Sequence, residues 1–210
     1  MTPTLKRFIV LEGVDGAGTT TQLRRLDEAL ARRGIAHLVT CEPTPLPTGR
    51  LVRQVLKGEV DARPETLARL FSADRHEHLY GPGGVLECLG RGDVVVSDRY
   101  LFSSLVYQGI DCGPELPRLL NAAFPLPELL IYFDLPVEVS MARVERRAER
   151  DIFEHRTFQE KARAAYEAVL AEYADSPMRI VRLDASLPLE EVWARVAVAV
   201  GDLVGAGIVE

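Results

Sequence analysis

The chain has 210 residues, with 31 acidic and 25 basic side chains, a formal net charge of −6 and 47% hydrophobic residues. The apolar share is too high for a disordered chain, and the longest apolar runs, Leu129 to Phe133 and Val196 to Val200, are far too short to span a bilayer. The acidic balance argues against a sequence-independent grip on nucleic acid, and the length suits one domain over residues 1–210.

In chain order, Phe8 to Leu11, His37 to Thr40, Val94 to Val96, Leu129 to Phe133 and Arg179 to Leu183 read as short buried strands rich in Val, Ile and Leu. Helical patterns lie between them: Thr20 to Arg33 stopped by Gly34, Pro64 toward Tyr80, Pro136 to Arg150, Glu154 to Asp175, and Pro188 to Val204. This alternation predicts an α/β fold with a parallel sheet covered on both faces. The segment Glu42-Pro-Thr-Pro-Leu-Pro-Thr48 is too proline-rich for regular structure, and it follows a strand, where such folds bind ligands. Cys41, Cys88 and Cys112 form no CxxC and read as reduced cytosolic thiols, and Met1 to Lys6 lacks the apolar core of a signal peptide. His76 and His78, two apart on a predicted helix, would face different sides, which makes a zinc site improbable.

The first strand runs into Gly13-Val14-Asp15-Gly16-Ala17-Gly18-Thr19-Thr20-Thr21 and then a helix. Such a turn aims backbone N–H groups and the helix dipole at one anionic point. It fits the P-loop pattern GxxxxGK[ST] except that Thr19 stands in place of the lysine, and Thr20 offers the hydroxyl that meets magnesium. A plain strand–helix turn is the alternative. Asp98, ending a second buried strand, suits the magnesium side of such a loop, or else caps the next helix. Arg143, Arg146, Arg147 and Arg150 share one helical face, which is either solvated or meets an anion. Only Lys6, Lys57 and Lys161 are lysines among the 25 basic residues, so guanidinium groups must do most of any phosphate chemistry.

Together these residues resemble thymidylate kinase, over nearly the whole chain. The resemblance rests on the glycine loop, on Glu42-Pro43, on Leu70-Phe-Ser-Ala-Asp-Arg75, and above all on Asp98-Arg-Tyr-Leu-Phe-Ser-Ser-Leu-Val-Tyr-Gln-Gly109. Leu130 to Leu135, then Phe158, Arg163 and Tyr166, follow the later segments of the family. It implies a three-layer P-loop fold with a five-stranded parallel sheet, a lid near residues 143–156, and a cytoplasmic homodimer that converts dTMP to dTDP with ATP and Mg²⁺. It implies that Gly13 to Thr21 and Arg143 bind ATP, and that Thr20 and Asp98 hold Mg²⁺. Phe71 would stack on thymine, Arg75 would donate to a thymine carbonyl, and Ser104 with Gln108 would address the other polar atoms. Tyr107 would close the sugar pocket, with Glu42 beside the substrate, and Arg53 and Arg99 would hold the dTMP phosphate. Asp15 would bind the sugar hydroxyl or help order the magnesium shell, and Arg147 and Arg150 would supply catalytic charge from the lid.

Three departures remove cations near phosphate: Thr19 for lysine, Cys41 where many members have arginine, and Ile152 where the family commonly shows arginine. Two further readings therefore stand beside an active dTMP kinase: a nucleotide-binding homologue that does not turn over, and a kinase for another deoxynucleotide.

Overall fold

The computed structural model describes residues 3–145, 153, 155–205 and 207. Five strands form one parallel sheet: β1 (Thr4–Gly13), β2 (His37–Cys41), β3 (Val94–Asp98), β4 (Leu126–Asp134) and β5 (Arg179–Asp184), in the order β2-β3-β1-β4-β5. All five lie where the short apolar runs predict them. The central strands carry apolar side chains toward both layers of helices; Phe8 to Leu11, Val94 to Val96 and Leu129 to Phe133 are fully buried. This is the burial expected of a parallel sheet sandwiched by helices, the architecture of a P-loop fold.

Nine helices complete the described residues: α1 (Thr19–Arg32), α2 (Pro47–Leu56), α3 (Pro64–Tyr80), α4 (Val85–Gly90), α5 (Leu101–Cys112), α6 (Glu115–Asn121), α7 (Val137–Val144), α8 (Arg156–Glu172) and α9 (Leu189–Val204). Gly34 follows α1 at φ 65°, the left-handed stop that its position predicts. The sequence reading named no helix at α2, α4, α5 or α6, it set the helix at α8 over Glu154 to Asp175, and two further differences bear on the site. Pro47 and Thr48, expected outside regular structure, form the first turn of α2, where proline's missing N–H costs nothing. Of the helix expected over Pro136 to Arg150, α7 covers Val137–Val144, with Pro136 at its N-cap; residues 146–152 lie outside the described set.

The proline-rich loop is held from α3. The Asp74 carboxylate accepts from the Thr44 N–H (2.8 Å) and from the hydroxyls of Thr44 and Thr48. A buried carboxylate thus replaces the backbone ladder that three prolines deny this segment.

Candidate functional site

β1 turns into α1 through the glycine loop. A Cβ on Gly13 would lie 2.9 Å from the Ala17 Cβ and 3.0 Å from the Phe133 carbonyl, so the loop closes against β4 only with glycine there. Gly18, the N-cap of α1, has φ 92°, a left-handed conformation that costs glycine little. Val14 and Ala17 are buried beneath the turn, joined by a 3.1 Å bond from the Ala17 N–H to the Val14 carbonyl. Thr19, Thr20 and Thr21 make the first turn of α1, and the Thr20 hydroxyl donates to Asp98 Oδ2 at 2.6 Å. Asp98 therefore reaches back to the loop and does not cap α5, whose N-cap is Tyr100. That cap comes from β1: the Glu12 carboxylate accepts from the N–H groups of Tyr100 (2.9 Å) and Ser103 (3.2 Å), the Ser103 hydroxyl (2.6 Å) and the Tyr166 hydroxyl (2.8 Å). Burial pushes the Glu12 carboxyl up from its ordinary range, although Arg99 and these donors oppose the shift.

Between Asp98 and α5, Arg99 adopts φ 70°, a strained conformation for a residue with a Cβ. Its N–H donates to the Leu11 carbonyl (2.9 Å), and its own carbonyl accepts from the Ser97 hydroxyl (2.7 Å), which fixes the strained bend. The guanidinium pairs with Asp15 at 2.6 Å, donates to the Gly13 carbonyl and the Ser103 hydroxyl, and lies 5.2 Å from the Tyr107 ring centre. Burial, the largest single influence, works against its charge, but Tyr107, Asp15, Tyr166 and Asp98 together outweigh it and hold its pKa well above the usual arginine value. Asp15 also accepts from the Tyr107 hydroxyl (3.1 Å) and Gln159 Nε2 (2.8 Å), so its carboxylate is engaged by three side chains.

Over the carboxyl ends of β1, β2 and β3 opens a cavity of about 360 Å³. Of the expected substrate residues, Glu42, Arg53, Phe71, Arg75, Arg99, Tyr107 and Gln108 line it, with Asp15, Thr20, Asp98 and Phe153. Phe71 is half-buried, with the core on one side and the cavity on the other. Arg75 is nearly inaccessible: Nη2 donates to Glu42 Oε2 (2.7 Å) and Ser104 Oγ (3.1 Å), and Nη1 to Asn121 Oδ1. Ser104 is therefore engaged by Arg75, and its neighbour Ser103 lines the cavity in its place. Arg53 donates to the Pro43 carbonyl and lies 3.5 Å from the Cys41 sulfur. Burial raises the Cys41 thiol pKa, outweighing the nearby Arg53 charge, so at neutral pH this sulfur is a neutral thiol and replaces none of the charge an arginine would bring. Three buried polar atoms in the lining have no hydrogen-bond partner among the described residues: Arg75 Nε, Gln108 Oε1 and Asp98 Oδ1.

A second groove of about 370 Å³ lies on the other side of the glycine loop, lined by Gly16 to Gly18, Thr21, Gln22, Arg143 and the apolar Ala185, Leu187, Leu189 and Val192. Arg143 spans it, donating to the carbonyls of Gly16 and Ala185 (both 3.1 Å). Arg147 and Arg150, with Ile152, lie outside the described residues.

The sequence reading missed Glu12, Ser103 and Gln159. Gln159 is fully buried and joins three segments: its Oε1 accepts from the Asp15 N–H (3.2 Å), and its Nε2 donates to Asp15 and to the Phe153 carbonyl (3.0 Å). Glu12, a carboxylate directly after the apolar run Phe8 to Leu11, was an available signal; Gln159, within the largely polar stretch Arg156 to Arg163, gave none.

The sequence model of the thymidylate kinase family matches residues 11–196. A putative thymidylate kinase of Treponema pallidum is 43% identical over 196 residues, covering 91% of this chain and 93% of the relative. A thymidylate kinase of Leptospira interrogans is 38% identical over 181 residues (84% and 85%), and one of Geobacillus sp. is 32% identical over 209 (93% and 96%). With the loop, the paired Thr20 and Asp98 and the base-sized cavity in one place, and with relatives matched nearly end to end, this chain belongs to the thymidylate kinase family.

Proposed function

We propose that the enzyme transfers the γ-phosphoryl group of ATP to dTMP, with the 360 Å³ cavity taking dTMP and the groove beside Arg143 taking ATP. The observation that carries this reading is a cavity lining that holds Phe71 together with Arg75 and Gln108, whose Nε donor and Oε1 acceptor have no partner among the described residues. Thymine offers them a carbonyl and a ring N–H. Cytosine presents an amine to the donor and a bare nitrogen to the acceptor, leaving both buried groups unpaired. Phe71 supplies the stacking face, and Tyr107 and Phe153, with ring centres 5.5 Å apart, wall the sugar side.

The attacking group is a phosphate oxygen, ionised at neutral pH, so the reaction needs no strong general base. It needs two anions brought together and the charge of the transferring group met by fixed cations and N–H groups. Arg99, anchored by Asp15 and held at a strained bend, is placed to bind the dTMP phosphate, with Arg53 at the cavity edge. The backbone N–H groups of Gly18 to Thr21, at the start of α1, and the α1 dipole face the ATP phosphates. Asp98 Oδ1 and the Thr20 hydroxyl are hard oxygen ligands that suit Mg²⁺; bound there, the ion would neutralise phosphate charge. In a single domain, Arg143 brings charge to this groove toward offsetting the missing lysine; Arg147 and Arg150, the other arginines expected to do so, lie outside the described residues. Family resemblance supports a cytoplasmic homodimer.

Thr19 favours one rival, a homologue that binds nucleotide without turnover. A coupled assay with ATP, Mg²⁺ and dTMP separates them: ADP release dependent on dTMP is the expected result. No ADP above the blank, with dTMP still bound, would overturn the kinase reading.

A further inference from the structure

Behind Arg75 a chain of buried polar groups runs from the cavity wall into the protein. Glu42 Oε2 accepts from Arg75, and its other oxygen, Oε1, accepts from His78 Nδ1 at 2.9 Å. On the far side of the ring, His78 Nε2 lies 2.8 Å from the Thr40 hydroxyl. Arg75, Glu42 and His78 are all nearly inaccessible to solvent. The Arg75 guanidinium sits between the rings of Tyr100 and Phe124, 5.3 and 5.6 Å from their centres.

A carboxylate beside an arginine favours the two-pronged pairing in which its oxygens take Nε–H and an Nη–H together. Here Oε1 turns to His78 instead, and Arg75 Nε has no partner among the described residues. We propose that His78 is a positioning residue for thymine recognition: by engaging Glu42 Oε1 it keeps Arg75 Nε–H for the base. This rests on the reading that Arg75 meets the base. A carboxylate oxygen only accepts, so the His78 Nδ1 that meets Glu42 Oε1 carries a proton, and the Thr40 hydroxyl is the partner of Nε2.

Three substitutions separate this role from plain packing. The amide nitrogen of Asn superposes on Nδ1, whereas that of Gln superposes on Nε2, and Leu offers neither. His78→Gln and His78→Leu should raise KM for dTMP about tenfold to a hundredfold, with KM for ATP unchanged, and His78→Asn should restore it. Preference for dTMP over dCMP should fall in step. Unchanged KM for dTMP in all three, equal shifts for both substrates, or no rescue by Asn would overturn the proposal. Should the variants fail to fold, ¹⁵N-histidine NMR of the wild-type protein reads the same device. The His78 ring should carry its proton on Nδ1 and shift on addition of dTMP but not of ATP; an Nε2–H tautomer or no response to dTMP would overturn it. Wild-type saturation by dTMP is measured first: its absence defeats the functional reading itself, whereas its presence with unmoved variants defeats only the role of His78.

Discussion

On the acceptor side of the glycine loop, side chains hold one another. Asp15 fixes Arg99, Glu12 caps α5 and takes Ser103 and Tyr166, and Glu42 fixes Arg75. On the donor side the groove is walled by Thr21, Gln22 and four apolar side chains, and the partners of Arg143 among the described residues are main-chain carbonyls, those of Gly16 and Ala185. The difference separates two physical tasks. Discriminating one base from another requires buried donors and acceptors fixed before the ligand arrives, because only then does the wrong base leave them unpaired. Neutralising phosphate requires charge within reach, and long arginine side chains deliver it from several positions. Of the cations that the family resemblance leads one to expect, Thr19 stands at the start of α1 and Cys41 in the cavity wall, while residue 152 lies outside the described residues.

Breaking the prebuilt side should have the larger effect. Arg99→Ala removes the cation that Asp15 and the bend at φ 70° hold beside the cavity, and kcat/KM for dTMP should fall about a hundredfold to a thousandfold in the coupled assay. Wild-type turnover in that variant would deny the role assigned to Arg99. Restoring the usual loop cation sharpens the other side. If arginines already supply that charge, Thr19→Lys should change turnover by less than about tenfold, because a second cation adds little where a guanidinium already meets the phosphate. A rise of about a hundredfold would mean the donor side is uncompensated.

The sheet was legible because buried parallel strands read as unbroken apolar runs, and the glycine loop because its spacing serves a backbone geometry. The residues that line the cavity were legible through family resemblance, and helical rotation decided between neighbours: Ser104 turns toward Arg75, while Ser103 faces the cavity. What supports those residues was not legible. Glu12 caps a helix 88 positions away, Gln159 reaches Asp15 across 144, and Asp74 holds a loop 30 residues before it. Such contacts join elements that only the tertiary fold brings together, and no local periodicity encodes them. Helix α2 was missed for the opposite reason: proline density reads as loop, yet Pro47 falls in the first helical turn, which tolerates it.

The central claim is that the acceptor cavity is built for thymine before any donor arrives, and calorimetric titration with dTMP and dCMP, without ATP, tests it most directly. One dTMP per chain, with dCMP bound at least about a hundredfold more weakly, is the expected result. Equal affinity for the two nucleotides, or dTMP binding only once ATP is present, would contradict it.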